Sequence, residues 1–474
     1  MPATMTASTH PAIARERTDR RPVRVGAGND PLRYRRRAAC GVTCALALSL
    51  TAAACSNPTT NTTADPTRVS IYGIDGATWK VIDPMLAAGD LPNLGRLIRN
   101  GTRAPLRSRK PLVSPPVWTT IATGVPRAIH GIKNFIVRGK AARMRSGGRL
   151  VSSQDRKVHS LWTIASEHGV RSAVLGWWAT YPAEAIDGVV VSERALKTRE
   201  SDLTSLFGGS DPSRSALVYP PEIMPLIAAI LGKSPKPAAS AGAEAERATV
   251  LKSMQIEDRA LARSLQILRQ KRGPFRLEMV LMRGVDVISH HFWKFHEPNA
   301  AAYREEDRPT AEEVAREGST VTDHYRFVDR LIGELVADNR PGDVVLIVSD
   351  HGFEAGMQPY RKGVLSGTHK SDAALNGIFI ASGGPVRRGT SLKSVSILDI
   401  APTVLYLLGL PVAKSLKGHP VEDALVAQWR DAHAIRRVDA YSGPPVLLSQ
   451  QEQSGESPVD DAVLEQLRGL GYVE

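Results

Sequence analysis

Cysteine is scarce in this 474-residue chain, and its distribution makes the scarcity informative. The three cysteines, Cys40, Cys44 and Cys55, all lie within the first 55 residues. Everything that follows must therefore fold without a disulfide, and any enzyme built from it needs no thiol nucleophile.

Several familiar sequence devices are also absent. No P-loop and no G-x-G-x-x-G sequence follows a predicted strand, so nucleotide phosphates are not held by those glycine-rich turns. The chain has neither internal repeats nor heptads. Its length is sufficient for one large domain with an insertion, or for two domains.

The charge of the chain is uneven along its length. The formal net charge is +13, and residues 1–37 contain nine Arg against three acidic residues. The remaining excess over the large body is mild, which suits small anions better than a nucleic-acid duplex. We therefore expect a small anionic partner and no duplex binding.

The basic leader is followed by an uncharged, Ala- and Leu-rich stretch, residues 38–54. This stretch is short for a spanning helix and is typical of a secretory signal. Together with Cys55 and the polar residues 56–67, it resembles a bacterial lipoprotein signal, which implies a lipid-anchored protein of the periplasm or cell envelope. Plain export and a wrongly chosen start codon are alternatives, because Ala52 stands where that pattern prefers Leu. The cluster Arg35–Arg37 is a weak sign of twin-arginine export.

The most informative stretch is residues 343–353, DVVLIVSDHGF. The apolar run Val344–Val348 predicts a strand that is buried on both faces, as in a parallel sheet covered by helices. Asp350 and His351 follow the strand directly. Because open α/β sheets bind ligands beyond the carboxyl ends of their strands, we expect this pair to lie at a functional site, although a simple turn is the alternative.

The same arrangement recurs twice along the chain. A predicted strand over residues 68–74 ends at Asp75, and a buried strand over residues 277–282 precedes Asp286 and His290. If a helix follows the second strand, the four-residue spacing places both side chains on one face. A further histidine, His369, stands in a glycine-led loop.

Ser114-Pro115 predicts the start of a helix, with Ser114 as N-cap and proline at the first helical position. The free N–H groups of a helix start attract anions, so the Ser114 hydroxyl is placed to meet a phosphate. Thr119 and Thr120 are expected in the helix interior, and His130 is expected to be structural.

These elements predict an α/β fold, a doubly wound and mostly parallel sheet with helices on both faces. Its domain organisation follows from shifts in composition. We expect an export signal over residues 1–55, a polar tether over 56–67, a catalytic domain over 68–410 with a cap insertion at about 184–273, and an extension over 411–474.

Six side chains form the candidate metal site, namely Asp75, Asp286, His290, Asp350, His351 and His369. Three carboxylates with three imidazoles suit two zinc ions, with manganese or iron as alternatives, and suit calcium or magnesium poorly. Two such ions can clamp an in-line phosphoryl displacement.

The order and content of these motifs resemble the alkaline phosphatase superfamily, and within it the type I phosphodiesterase/nucleotide pyrophosphatase family. The resemblance implies that Asp286, His290 and His369 bind one metal and that Asp75, Asp350 and His351 bind the other. It also implies that Ser114 is the nucleophile, which forms a covalent phosphoryl-enzyme that water hydrolyses.

Two departures from the family pattern concern the nucleophile. Ser114 stands where these enzymes usually carry Thr, and Val117 stands where they carry an Asn that binds a phosphoryl oxygen. Sulfatases of the same superfamily need an Arg that the segment after Ser114 lacks. The expected activity is hydrolysis of a phosphodiester or pyrophosphate-type bond. A phosphomonoesterase and a non-catalytic, metal- or anion-binding relic are the alternatives.

Overall fold

The computed structural model describes residues 68–138, 148–197, 216–231, 242–357, 365–447, 457, 459–470 and 472. These residues belong to one compact unit, Thr63–Glu474. The predicted export signal and tether lie outside the described residues and stay predictions. Within the described ranges, no helix combines the length and apolar character that crossing a membrane requires.

A mixed sheet of ten strands forms the centre of the described chain. Its spatial order is β13 (Thr390–Ser391), β2 (Gly101–Arg107), β12 (Asn376–Gly383), β9 (Val344–Val348), β1 (Val69–Ile74), β8 (Leu277–Met282), β5 (Ser172–Leu175), β6 (Gly188–Val191) and β7 (Val218–Tyr219), with β14 (Val395–Ser396) also paired to β2. Strands β9, β1, β8, β5 and β6 run parallel, whereas β12 runs antiparallel between β9 and β2. Two-residue strands form three small sheets: β3 (Ile136–Val137) with β4 (Arg149–Leu150), β10 (Glu354–Ala355) with β11 (Gly367–Thr368), and β15 (Val412–Ala413) with β16 (Arg437–Val438).

Helices cover both faces of the large sheet. In chain order they are α1 (Trp79–Ala87), α2 (Pro92–Arg99), α3 (Ser114–Thr123), α4 (Arg127–His130), α5 (Leu161–Glu167), α6 (Met224–Leu231), α7 (Gly242–Arg272), α8 (Gly284–His296), α9 (Ala311–Glu317), α10 (Thr320–Leu335), α11 (Ile400–Leu407), α12 (Ala427–Ala432) and α13 (Asp460–Gly469).

The strands are buried on both faces because alternate residues enter two different apolar layers. In β1, Tyr72 and Ile74 pack with α1, α2, α7, α8 and α10, whereas Val69 and Ile71 pack with α3, α5, α11 and α13. The five apolar residues of β9 divide between the same two layers. This confirms the predicted doubly wound α/β fold and explains why its central strands are continuous apolar runs.

The described part of the segment predicted as a cap, 184–273, extends the main fold. Strands β6 and β7 lengthen the central sheet, and α7 packs against α8 and α10 in one helical layer. Residues 198–215 and 232–241 lie outside the described residues. A cap formed by those two stretches therefore stays a prediction, and the described parts around them belong to the sheet and its helical cover.

The chain beyond residue 410 also packs on this fold. Strands β15 and β16 pair, and α13 buries Val463, Leu464 and Leu467 in the layer that contains α3 and α11. Leu470 enters the other layer. Helix α13 thus bridges the region where the two apolar layers meet.

Candidate active site

The spatial order of three strands explains how distant residues meet. Strand β1 lies between β9 and β8, and all three are parallel. Asp75 follows β1, Asp286 lies in the first turn of α8 after β8, and Asp350 and His351 follow β9. Because parallel strands end at the same sheet edge, these side chains converge there.

Helix α8 places two of the predicted ligands on one face. The Oδ1 atom of Asp286 and the Nε2 atom of His290 are 3.5 Å apart, one helical turn from each other. The start of the helix is fixed by Asp258, whose carboxylate accepts the N–H groups of Arg283 and Gly284. The predicted helical continuation after β8 is confirmed.

Close packing at the sheet edge requires a glycine after Asp75. Gly76 has φ = +71°, and a Cβ atom at this position would lie 3.0 Å from Cα and Cβ of Asp286. Its N–H donates to Oδ1 of Asp350 at 3.3 Å. A residue with a side chain would therefore be strained and would push Asp286 away from Asp75.

The potential ligand atoms form two groups, each with atoms within 4.8 Å of one another. The first contains Asp286, His290 and His369, as the family resemblance implied. The second contains Asp75, Asp286 and His351, so the Asp286 carboxylate reaches both groups. Asp350 lies beside the second group, with its Oδ2 atom 3.3 Å from Nε2 of His351. Asp286 thus belongs to both candidate groups, and the predicted division of the six ligands between two ions stays a prediction.

Several atoms of this cluster are buried without any hydrogen-bond partner. They are Asp75 Oδ1, Asp286 Oδ1, Asp350 Oδ2 and His351 Nε2. Buried acceptors without a donor are costly, and a cation is the partner that would satisfy all four. This observation shows that the residues fit divalent metal ions.

Burial also shifts the pKa values of four residues in this cluster. Burial raises the pKa of Asp75 well above its ordinary value, with Asp350 and Asp286 adding to the shift, and burial raises the pKa of Asp350 to about 8. Burial lowers the pKa of His290 and of His369. Burial thus keeps the imidazoles neutral, which is the form that binds a metal ion. A bound cation would offset the repulsion among the neighbouring carboxylates.

The imidazole contacts orient two histidines for metal binding. Nδ1 of His290 lies 2.9 Å from the carbonyl of Gly367, and Nδ1 of His351 lies 2.9 Å from the carbonyl of Gly352. A carbonyl accepts only, so each Nδ1 carries the proton and each Nε2 presents a lone pair to the site. The ring of His369 stacks on that of His351 with centroids 3.9 Å apart.

Ser114 is buried and lines a cavity together with Asp75 and Asp286. It is the first residue of α3, and Val113 occupies the N-cap position without a side-chain cap, so the prediction that Ser114 is the N-cap was wrong by one residue. Its hydroxyl is thereby free of the capping role. Thr119 and Thr120 lie inside the helix and donate to the carbonyls of Pro115 and Pro116, as expected.

Other residues of the site gave no signal in the sequence. The indole of Trp118 donates to Oδ2 of Asp75 at 3.1 Å and so orients that carboxylate. Arg283 and Trp178 line the cavity beside Ser114. Tyr472, far beyond the motifs, places its hydroxyl 2.8 Å from Nε2 of His290. Only the spacing of Trp118, one turn beyond Ser114, could have indicated a role.

Comparison with known proteins gives the class and the family of this chain. The family model described as Type I phosphodiesterase / nucleotide pyrophosphatase matches residues 70–379, more than half of the chain. The chain belongs to this family, which confirms the predicted family and the predicted hydrolase class. All seven predicted site residues lie inside the matched range.

Individual relatives are distant. The chain is 33% identical over 95 residues to 2,3-bisphosphoglycerate-independent phosphoglycerate mutase of Pseudoalteromonas translucida (strain TAC 125), a match that covers 20% of this chain and only 17% of that protein. Human ectonucleotide pyrophosphatase/phosphodiesterase 5 has 13% identity and a TM-score of 0.47, covering 76% of this chain and all of that chain. An inactive form of the murine protein in complex with AMP gives 13% identity, the same coverage and a TM-score of 0.43.

Proposed function

We propose that the chain is an exported, metal-dependent phosphoesterase that hydrolyses phosphodiester or nucleotide pyrophosphate-type bonds, with Ser114 as nucleophile. One observation carries this proposal. Ser114 lines the same cavity as Asp75 and Asp286, and each of these carboxylates belongs to a buried ligand group with unpartnered oxygen atoms. A hydroxyl beside two cation sites is the arrangement that phosphoryl transfer needs.

In this proposal, Asp286, His290 and His369 hold one divalent ion, and Asp75, Asp350 and His351 hold the other, with Asp286 able to reach both. The nitrogen and carboxylate donors favour zinc, with manganese or iron as alternatives. Bound ions would lower the pKa of the nucleophile and stabilise the charge on the leaving oxygen.

The remaining chemistry belongs to the chain. Oγ of Ser114 forms a bond to phosphorus and passes its proton to water, while the bond to the leaving oxygen breaks and that oxygen takes up a proton from water. Water then attacks the phosphorylated Ser114 and releases the phosphate or phosphomonoester. The free N–H groups at the start of α3 face the oxygen atoms of the transferring group. Trp118 holds Asp75 in place throughout.

The substrate is proposed to be a small phosphorylated compound of the nucleotide type. Val117 occupies the position of the Asn that the family uses as an oxyanion donor, so the first turn of α3 supplies one side-chain contact fewer. A phosphomonoesterase is the second candidate, since the same two-ion cluster serves that reaction. The alternative of a non-catalytic, metal- or anion-binding relic is disfavoured, because a protein without turnover has no physical need for six converging ligands.

The N-terminal sequence supports export with a lipid at Cys55, outside the described residues. If this anchoring occurs, Cys55→Ser shifts the protein from the membrane fraction to the soluble envelope fraction. An unchanged distribution would refute lipid attachment and leave the phosphoesterase proposal intact.

The test of the activity compares bis-aryl with mono-aryl phosphate hydrolysis by the zinc-loaded protein. We expect Ser114→Ala to lower kcat by about 10³-fold or more while zinc content is retained, because only the nucleophile is removed. Thr119→Val is the matched control on the same helix and keeps turnover. Retained activity in Ser114→Ala would exclude the serine intermediate, and two bound ions without any turnover in the wild type would favour the relic.

A further inference from the structure

Tyr472 brings a remote part of the chain into the candidate metal site. Its hydroxyl lies 2.8 Å from Nε2 of His290, 2.7 Å from Nε2 of His369 and 3.4 Å from Oδ2 of Asp286. These are the three side chains of the first ligand group. Tyr472 lies well outside residues 70–379, the range that the family model matches.

The proton count shows what this contact does to the ligands. Nε2 of His290 is an acceptor, because Nδ1 carries the ring proton, so the Tyr472 hydroxyl donates its one proton to this atom at 2.8 Å and, more weakly, to Oδ2 of Asp286 at 3.4 Å. Having one proton, the hydroxyl can only accept from His369, which places a proton on Nε2 of that ring and leaves Nδ1 as the buried, unpartnered atom. His369 in this tautomer cannot ligate a metal through Nε2. The contact with Tyr472 and metal binding through Nε2 of His369 are therefore mutually exclusive, whereas Nδ1 keeps its lone pair.

The position of the hydroxyl matters for an incoming group as well. A catalytic zinc site keeps one coordination position for water or substrate beside its three protein ligands. The Tyr472 oxygen is within hydrogen-bond distance of both imidazole nitrogens of the group, on the side that faces the Ser114 cavity. It thus lies at two candidate ligand atoms and beside the cavity that Ser114 lines.

Tyr472 is held there by a packed segment. We call residues 459–470 and Tyr472 the closing segment. Its apolar side chains, including Val463, Leu464, Leu467 and Leu470, are buried in the two apolar layers. Asp460 forms a buried ion pair with Arg194 at 2.8 Å, and the Tyr472 ring packs on Phe135 with centroids 4.8 Å apart.

The closing segment leaves almost no room in front of Ser114. It contributes five of the side chains that line the cavity, namely Val463, Gln466, Leu467, Leu470 and Tyr472. The cavity leaves about 20 Å³ for the centres of water molecules, within about 350 Å³ of space that no atom fills and that includes open solvent. Water-sized groups fit there as the side chains stand, whereas a phosphoester requires the lining side chains to move.

We propose that the closing segment shuts the active site, and that the Tyr472 hydroxyl competes with the first metal ion, so that the segment must move before metal and a phosphorylated substrate reach Ser114. The proposal rests on the proposed function for the nature of the substrate. The closure itself is a property of the fold and can be measured without turnover.

The first experiment measures access to position 114 by thiol labelling. In the full chain with Cys40, Cys44 and Cys55 replaced by Ser, Ser114→Cys is the only thiol. With a chelator present, we expect iodoacetamide to label it at least about tenfold faster when Tyr472→Ala is added. Tyr472→Phe keeps the ring and should accelerate labelling about threefold, the effect of a lost hydrogen bond. Equal rates in all three proteins would overturn the closure.

The second experiment measures zinc affinity by equilibrium dialysis of the full chain. We expect Tyr472→Phe to bind zinc about tenfold more tightly than the wild type, because a competing hydroxyl is gone. The control is Tyr441→Phe, which removes a hydroxyl bonded to the carbonyl of Pro411 and should leave zinc affinity unchanged. Weaker zinc binding in Tyr472→Phe would show that the hydroxyl is a ligand and would overturn the competition.

The two proposals fail separately. Faster labelling and tighter zinc binding in Tyr472→Phe, with no turnover in any variant, would support the closure and refute the phosphoesterase. Turnover that depends on Ser114, with labelling and zinc affinity unaffected by Tyr472, would do the reverse.

Discussion

Buried carboxylates lie at both ends of strands β1, β8 and β9, and their partners differ between the two ends. At the amino ends of β1, β8 and β9, Glu278 lies 2.6 Å from Nη2 of Arg269, and Asp343 lies 3.0 Å from Nη2 of Arg68. Nη2 of Arg269 also donates a hydrogen bond to the hydroxyl oxygen of Tyr72 at 2.8 Å. Each buried carboxylate at this end is matched by a guanidinium within the chain.

At the carboxyl ends, the described residues leave part of the carboxylate charge unmatched. Asp75, Asp286 and Asp350 are as deeply buried as Glu278, yet each has an oxygen atom without a hydrogen-bond partner. Burying unpaired carboxylates is expensive, whereas burying hydrogen-bonded pairs is tolerated. Folding alone supplies the partners of the carboxylates at the amino ends. The carboxylates at the carboxyl ends are candidates for binding cations from solution.

The first prediction tests the amino end. Glu278→Ala should lower the free energy of unfolding by about 3–5 kcal/mol, because Arg269 loses its buried partner. Zinc content should not change, since the other end is untouched. Urea denaturation followed by circular dichroism measures the effect. The control is Glu222→Ala, which removes an exposed partner of Arg272 and should cost less than about 1 kcal/mol. Similar losses in the two variants would contradict the assignment.

The second prediction tests the carboxyl end. Zinc at about 100 times its Kd should stabilise the wild type by about 2.7 kcal/mol. Asp286→Asn should abolish this gain, because its carboxylate belongs to both ligand groups, whereas Glu278→Ala should keep it in full. Thermal unfolding of chelated and zinc-loaded samples measures both. A zinc-dependent gain that survives in Asp286→Asn would break the contrast between the two ends.

The third prediction concerns a histidine that the protein satisfies by itself. His130 lies 3.1 Å from Oγ1 of Thr120 and accepts the N–H of Ile132, and burial lowers its pKa to about 4. The folded-state pKa is thus below the ordinary 6.5. Its contribution to stability is fully present above pH 6.5 and is lost as pH falls towards 4.

We expect this loss to amount to roughly 2–3 kcal/mol. It should appear as the difference in unfolding free energy between the wild type and His130→Gln, measured by denaturant titration from pH 7 to pH 4. The difference should be independent of zinc, in contrast to the second prediction. A difference that does not change with pH would show that folding leaves the pKa of His130 unaltered.

Much of the site could be predicted because it depends on local pattern. Short apolar runs that end in Asp or Asp-His identify buried strands and their functional ends, and the four-residue spacing of Asp286 and His290 requires only a helix. The family match confirms the class of enzyme that these motifs indicated. One error of the prediction was also local: the N-cap of α3 is Val113, one residue before the predicted Ser114.

Long-range placement was beyond the sequence. The described parts of 184–273 join the sheet because β6 can pair beside β5, a choice made by strand order and not by composition. Asp286 reaches both ligand groups because β1 and β8 are neighbours. Neither fact is written in the residues near these positions.

The sequence by itself determined the class of fold and the enzyme family, because each depends on residue types at short spacing. Only the tertiary structure decided that Asp286 is shared and that Tyr472 meets His290 and His369. The physical reason is that contacts between distant residues are set by the packing of whole strands and helices. Tyr472 lies more than a hundred residues beyond His290 and His369, and the sequence around it does not indicate that its side chain contacts them.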